Sequence, residues 1–153
     1  MTDHSEPSDS LQTGRKATMA AVARATTAEL AGLDAMAGDG VTVLRTPEIG
    51  LVMVRGRIGG DGAPFNMGEA TVTRAAVSLP GGEVGFGHVL GRDKEKARLA
   101  ALADALWQAP ATRGAVEALL APVRERLADE AACKRERAAA TRVDFFTMVR
   151  GDN

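Results

Sequence analysis

Residues 69–79 read EATVTRAAVSL, a run in which β-branched side chains alternate with small or polar ones. That composition at a period of two predicts a strand lying half-buried in a sheet. Its phase slips, however. Ala70 and Val72 share one face, whereas Ala75, Val77 and Leu79 share the other. An extra residue near Arg74 would produce this slip, so a β-bulge is expected there. Upstream, Val41–Leu44 and Gly50–Val54 carry the same β-branched signature, bounded by Pro47 and Gly50 and then by Gly56, Gly59 and Gly60. They read as two strands of a hairpin. Downstream, Pro80, Gly81 and Gly82 make a turn, and Val84 to Leu90 form a fourth strand. Such short connections favour antiparallel neighbours, because parallel ones need a long crossover. The expected core is a four-stranded, mostly antiparallel sheet.

Helices flank it. From Leu11 the pattern is helical, with Met19 and Val22 three apart. Thr26 stands three residues before Glu29, the spacing of a capping box, and Leu30, Leu33 and Ala37 continue at helical intervals. Gly38, Asp39 and Gly40 end this N-terminal helical hairpin. After the sheet, Asp93 opens a helix whose inner face is Leu99, Leu102, Ala103 and Leu106, and Pro110 closes it. Val116, Leu119 and Leu120 begin another, which Pro122 either kinks or restarts. Val123 and Leu127 prolong its apolar face. Beyond Ala132 the stripe fades into CKRERAAATR, as it does in a helix end that protrudes or frays unless a partner covers it. The fold class is therefore α+β, with residues 1–10 a disordered tail rich in Ser, Asp and Pro and residues 11–153 a single domain. The tail VDFFTMV, residues 143–149, needs burial as an extra strand or against another subunit. Phe145, Phe146 and Met148 are its candidate interface residues.

Composition narrows the chemistry. At 153 residues the chain makes one domain, and its size allows a real core. Aromatic residues are only 3% of it, so the core must rest on aliphatic side chains and alanine. A net charge of −1 gives no field that would draw nucleic acid or an anionic membrane. Cys133 is alone and cannot form an internal disulfide, which fits a reducing compartment. There is no apolar run long enough to span a bilayer, and MTDHSEPSDS is unlike a signal peptide. A soluble cytoplasmic protein is expected. His4 and His88 are the only histidines and, with one distant cysteine, supply no metal-ligand spacing. No nucleophile elbow is present. His88 shares a strand face with Phe86, a packing arrangement. No catalytic or metal-binding residue is assigned.

One stretch keeps a sharper reading open. Residues 55–74, RGRIGGDGAPFNMGEATVTR, are either a long turn with solvated arginines or an anion cradle. Glycines let backbone N–H groups approach a ligand, and guanidinium forks match phosphate oxygens. Arg55 and Arg57 lie two apart on one side of an extended strand, and with Asn66 and Arg74 they form the candidate anion-binding set. The stretch is neither a Walker A loop nor a GxGxxG turn. Glu48, Asp61 and Glu69 are either acid–base groups or ion-pair partners for these arginines.

Three segments carry a resemblance: RTPEIGLVMVRGRIGGDGAPFNMGEATVTRAAV at 45–77, GHVLGRDKEKARLAALADAL at 87–106 and ATRVDFFTMVRG at 140–151. Together they closely resemble PhnG, a subunit family of the bacterial carbon–phosphorus lyase system, from about Arg15 to Gly151. The resemblance implies action with PhnH and PhnI, assisted by PhnL, in displacing adenine from ATP with a phosphonate. From methylphosphonate the product is α-D-ribose 1-methylphosphonate 5-triphosphate. It further implies a core complex with PhnJ, ATP with Mg²⁺ as co-substrate of the assembly, no cofactor of the chain's own, and no catalytic residue on this subunit. Attack at the anomeric carbon requires anion binding and stabilisation of positive charge on the sugar. This chain offers arginines for the first task and only ambiguous carboxylates for the second. A scaffold that orders its neighbours without touching substrate is the alternative.

Overall fold

The computed structural model describes residues 6–141, with side chains from Asp9 onward. Helices α1 (Glu6–Arg24), α2 (Thr27–Leu30) and α3 (Gly32–Ala37) precede strands β1 (Thr42–Arg57), β2 (Pro64–Ser78) and β3 (Val84–Leu90), and α4 (Lys94–Gln108) and α5 (Pro110–Ala140) follow. The class is α+β, but the sheet has three antiparallel strands in the order β1-β2-β3. The four-stranded expectation fails because the two segments split at Pro47 and Gly50 are one strand of 16 residues. β1 is an edge strand, so a proline's missing N–H removes no ladder bond there. Pro47 falls inside a register shift, where pairing passes from Arg45↔Ala76 to Glu48↔Arg74. The register does shift next to Arg74, but the extra residue is on β1; β2 itself pairs with β3 without a break from Val72 to Ser78. The chain reverses instead beyond Arg57, where Gly59 and Gly60 take φ of 63° and 84°.

At the N-terminal end, helix α1 begins at Glu6, ahead of the apolar pattern from Leu11. The capping box forms as spaced. Glu29 N–H donates to Thr26 Oγ1 at 3.2 Å, and Thr26 N–H donates to Glu29 Oε2 at 2.7 Å. Asp93 caps α4 by accepting from Lys96 N–H at 2.8 Å. Pro110 stands in the first turn of α5, where its absent N–H costs nothing, and Pro122 lies within that helix on its exposed side.

Leu99, Leu102, Leu106, Trp107, Leu120, Val123, Leu30 and Leu33 build the core on one side of the sheet. Helix α4 lies directly on β2 and β3, at Gly85 and Gly87. A Cβ at Gly87 would fall 2.7 Å from Ala101 N, and one at Gly85 would fall 2.8 Å from Ala105 Cβ. Asp104 on α4 is 2% exposed. It accepts two bonds of 2.7 Å from the Arg15 guanidinium and one of 2.9 Å from Phe86 N–H. Gln108 Nε2 donates to Val84 O at 2.7 Å. These two side chains close the outer edge of β3. The outer edge of β1 has no such cover among the described residues.

Two parts project past the same end of this body. β3 stops at Leu90, opposite Val72 and hence Gly50, while β1 continues to Arg57. Leu51–Arg57 and its β2 partners thus form a free two-stranded arm about 23 Å long at ~3.3 Å per residue. Helix α5 runs antiparallel to α4. Arg126 pairs with Glu29 beside the start of α4, where Thr27 also bonds Asp93. From Leu127 to Ala140 it extends about 21 Å farther at ~1.5 Å per residue. Its side chains beyond Leu127 are exposed almost throughout, so the fading stripe does mark a protruding helix.

Candidate functional site

The candidate anion-binding residues separate into two places. Arg55, Arg57 and Asn66 sit at the distal end of the arm, with Arg55 opposite Asn66 and Arg57 opposite Pro64. Register puts the three on one face, and all three are exposed. Arg57 Nη1 donates to Gly62 O at 3.3 Å and so braces the turn. The side chains of Arg55 and Asn66 make no hydrogen bond or ion pair among the described residues. Arg74 lies at the arm's root, opposite Glu48, seven β1 residues from Arg55. That separation, about 23 Å at ~3.3 Å per residue, rules out a single small anion held by all four.

At the arm's root the sheet face turned away from the helices carries a recess of about 380 Å³. Arg45, Arg74 and His88 line it, one from each strand, together with Leu44, Val84 and Phe86. Arg74 and His88 are direct cross-strand partners. Arg74 Nη2 pairs with Glu48 Oε1 at 3.1 Å, and Arg45 Nη1 approaches the same oxygen at 3.4 Å. Two guanidiniums therefore share one carboxylate. Arg74 Nε is buried with no acceptor. Glu48 is an ion-pair partner, as one of the two sequence readings has it; Asp61 and Glu69 form no ion pair among the described residues. Sequence reasoning singled out Arg74 but not Arg45 or Leu44, and it assigned His88 to packing. The signal that could have found the recess was the alternation of Phe86 and His88, which places both on an uncovered face: Phe86 is 59% exposed.

The arm itself is apolar on both sides. Pairing of Ile49 with Thr73, Leu51 with Thr71 and Met53 with Glu69 places the three apolar residues on the face of the sheet that carries α4 over β2 and β3. Leu51 is 63% and Met53 55% exposed. Val54 on the opposite face, and Ile58, Phe65 and Met67 near the tip, are also exposed. An isolated soluble domain rarely leaves so much contiguous apolar surface in water. Phe145, Phe146 and Met148 lie outside the described residues. No group of three or more His, Cys, Asp or Glu among the described residues could hold a metal ion. No helix among them is long and apolar enough to cross a membrane.

Similarity to known proteins covers both regions. The family described as phosphonate metabolism protein PhnG matches residues 13–151. A curated protein of Rhizobium meliloti (strain 1021), α-D-ribose 1-methylphosphonate 5-triphosphate synthase subunit PhnG, is 57% identical over 141 residues. That alignment takes in 91% of this chain and 90% of the relative. The match to the family spans the arm, the recess and the helices on either side.

Proposed function

We infer the function from one premise: this chain belongs to the PhnG family of phosphonate metabolism proteins. It is a subunit of an α-D-ribose 1-methylphosphonate 5-triphosphate synthase, a transferase-type assembly, and is hetero-oligomeric. The observation that carries a non-autonomous role is the arm. Leu51, Met53 and Val54 expose apolar surface on both faces of the hairpin beyond the end of β3. Docking that arm on a sister subunit removes the surface from water at roughly 25 cal/mol per Å². Replacing Leu51 and Met53 together with serine tests this. The variant keeps its fold, since both side chains already face solvent, and fails to co-purify with the other synthase subunits. Co-purification at the wild-type ratio would overturn the reading.

The sister subunits are taken to be PhnH, PhnI and PhnJ, with PhnL assisting, and ATP carried with Mg²⁺ to be the co-substrate in the cytoplasm. Within that assembly Arg55 and Asn66, whose donors have no partner in the described chain, offer bonds to substrate oxyanions across the subunit boundary. A purely structural role is favoured by one contact: Arg57 spends a donor on its own turn, at Gly62 O. Replacing Arg55 and Arg57 with alanine separates the two. Loss of turnover from an intact complex supports substrate contact, and loss of assembly with normal nucleotide binding supports the scaffold.

A further inference from the structure

The recess at the arm's root has a chemistry of its own. Arg45, Arg74 and His88 come from three adjacent strands and converge on one side of the sheet, a placement set by backbone pairing rather than by a mobile loop. Glu48 is the one carboxylate that pairs with them, at 3.1 Å from Arg74 and 3.4 Å from Arg45. One carboxylate between two guanidiniums leaves a net positive charge and most of their N–H donors uncommitted. The remaining walls, Leu44, Val84 and Phe86, are apolar. Its volume of about 380 Å³ is that of a small-ligand site, and its make-up is that of one: apolar walls with a few convergent polar groups.

We infer that this recess binds a phosphoryl or phosphonyl oxyanion of the synthase's substrates, with the apolar wall of Leu44 and Phe86 against the group that bears it. The inference rests on the assignment of the chain to the synthase and adds a substrate-facing surface separate from Arg55 and Asn66 at the arm's tip. Arg74 and Arg45 supply charge-assisted hydrogen bonds from either side of Glu48, and His88 adds a ring nitrogen beside Arg74. Glu48 keeps the two guanidiniums extended over the recess when no ligand is present, at the expense of repelling the ligand. A concave site built on three strands suits a small oxyanion better than it suits a flat protein face. Methylphosphonate and the triphosphate of ATP present the same oxygens, and the experiment distinguishes them.

The test uses synthase assembled with its sister subunits and measures KM for ATP and for methylphosphonate separately. Arg74→Gln and Arg45→Gln each raise KM for one and the same substrate about tenfold, the loss of one charge-assisted hydrogen bond. Glu48→Gln moves that KM the other way, downward, because it removes the repelling carboxylate while keeping its shape. A shift confined to methylphosphonate places the phosphonate in the recess, and one confined to ATP places the triphosphate there. Arg45 is half exposed, so its substitution carries the test if Arg74→Gln does not fold. Unchanged KM values overturn the inference. So does a rise with Glu48→Gln, or loss of assembly with normal KM in the surviving complex, which would make the recess a seat for a sister subunit's acidic side chain. A complex lacking this chain that turns over at the full rate would instead overturn the assignment to the synthase.

Discussion

Replacing Gly87 with alanine tests how α4 and the sheet are held together, and with them the recess on the opposite face. The added Cβ would sit 2.7 Å from Ala101 N and closer still to Ala97 O, both atoms of the α4 backbone. Unstrained heavy-atom packing needs ~3.5–4.0 Å, so α4 must rise by at least about 1 Å. No rotamer can relieve the clash, because neither atom belongs to a side chain. A gap of that size forfeits roughly a quarter to a half of the attraction across it. Overpacking of this kind costs about 1–3 kcal/mol where side chains can shift, and the upper end applies here. For a chain of this length ~3 kcal/mol lowers Tm by about 6–12 °C. Gly59→Ala is the comparison: its φ of 63° disfavours alanine, but nothing lies within 4 Å. That change costs about 1 kcal/mol. Thermal unfolding followed by circular dichroism reads both. A Gly87→Ala protein that melts no lower than Gly59→Ala would refute the claim that α4 rests on a bare backbone.

Three further outcomes are expected. Asp104→Asn removes the charge that holds Arg15 and weakens the acceptor for Phe86 N–H, so urea unfolding should show a loss of about 2–4 kcal/mol. Amide exchange at Phe86 should quicken in that variant, as the edge of β3 opens. The Glu117 carboxyl is held down at about 2, from an ordinary 4.5, chiefly by Arg124, with Thr18 Oγ1 and Trp107 Nε1 also donating against the opposing effect of burial. A depressed folded value stabilises the protein above the unfolded pKa, and that stability is lost as pH falls from about 4.5 towards 2. Glu117→Gln should therefore cost about 1–2 kcal/mol at pH 7, discounted for its partial exposure, and should flatten the acid limb of the stability curve. An acid limb unchanged in shape would show that Glu117 is not its source. The double change Leu51→Ser with Met53→Ser should leave Tm within ~2 °C of wild type, since both residues are exposed.

Local signals in the sequence survived folding well. The Thr26–Glu29 box, the Asp93 cap and the Leu99–Leu102–Leu106 stripe each depend on neighbours a turn away, and each stands where spacing put it. Strand count did not survive, because Pro47 breaks a central strand but merely bulges an edge one. Which of the two β1 would be depends on pairings that local spacing does not encode. The anion-binding set met the same difficulty. Arg55 and Arg74 look like members of one loop in the linear sequence, yet antiparallel pairing sends them to opposite ends of the arm. Arg45, Arg74 and His88 meet only once register is fixed across three strands. Gly50–Val54 was legible as a strand, whereas its projection past Leu90 was not.

Adenine release from ATP in the presence of methylphosphonate, measured for the chain alone and for the chain restored to an assembly lacking it, decides whether the chain acts only among its sister subunits. The isolated chain should release none, and turnover should return when it rejoins its neighbours. Sustained release by the isolated chain, or full turnover by the assembly without it, would contradict that claim.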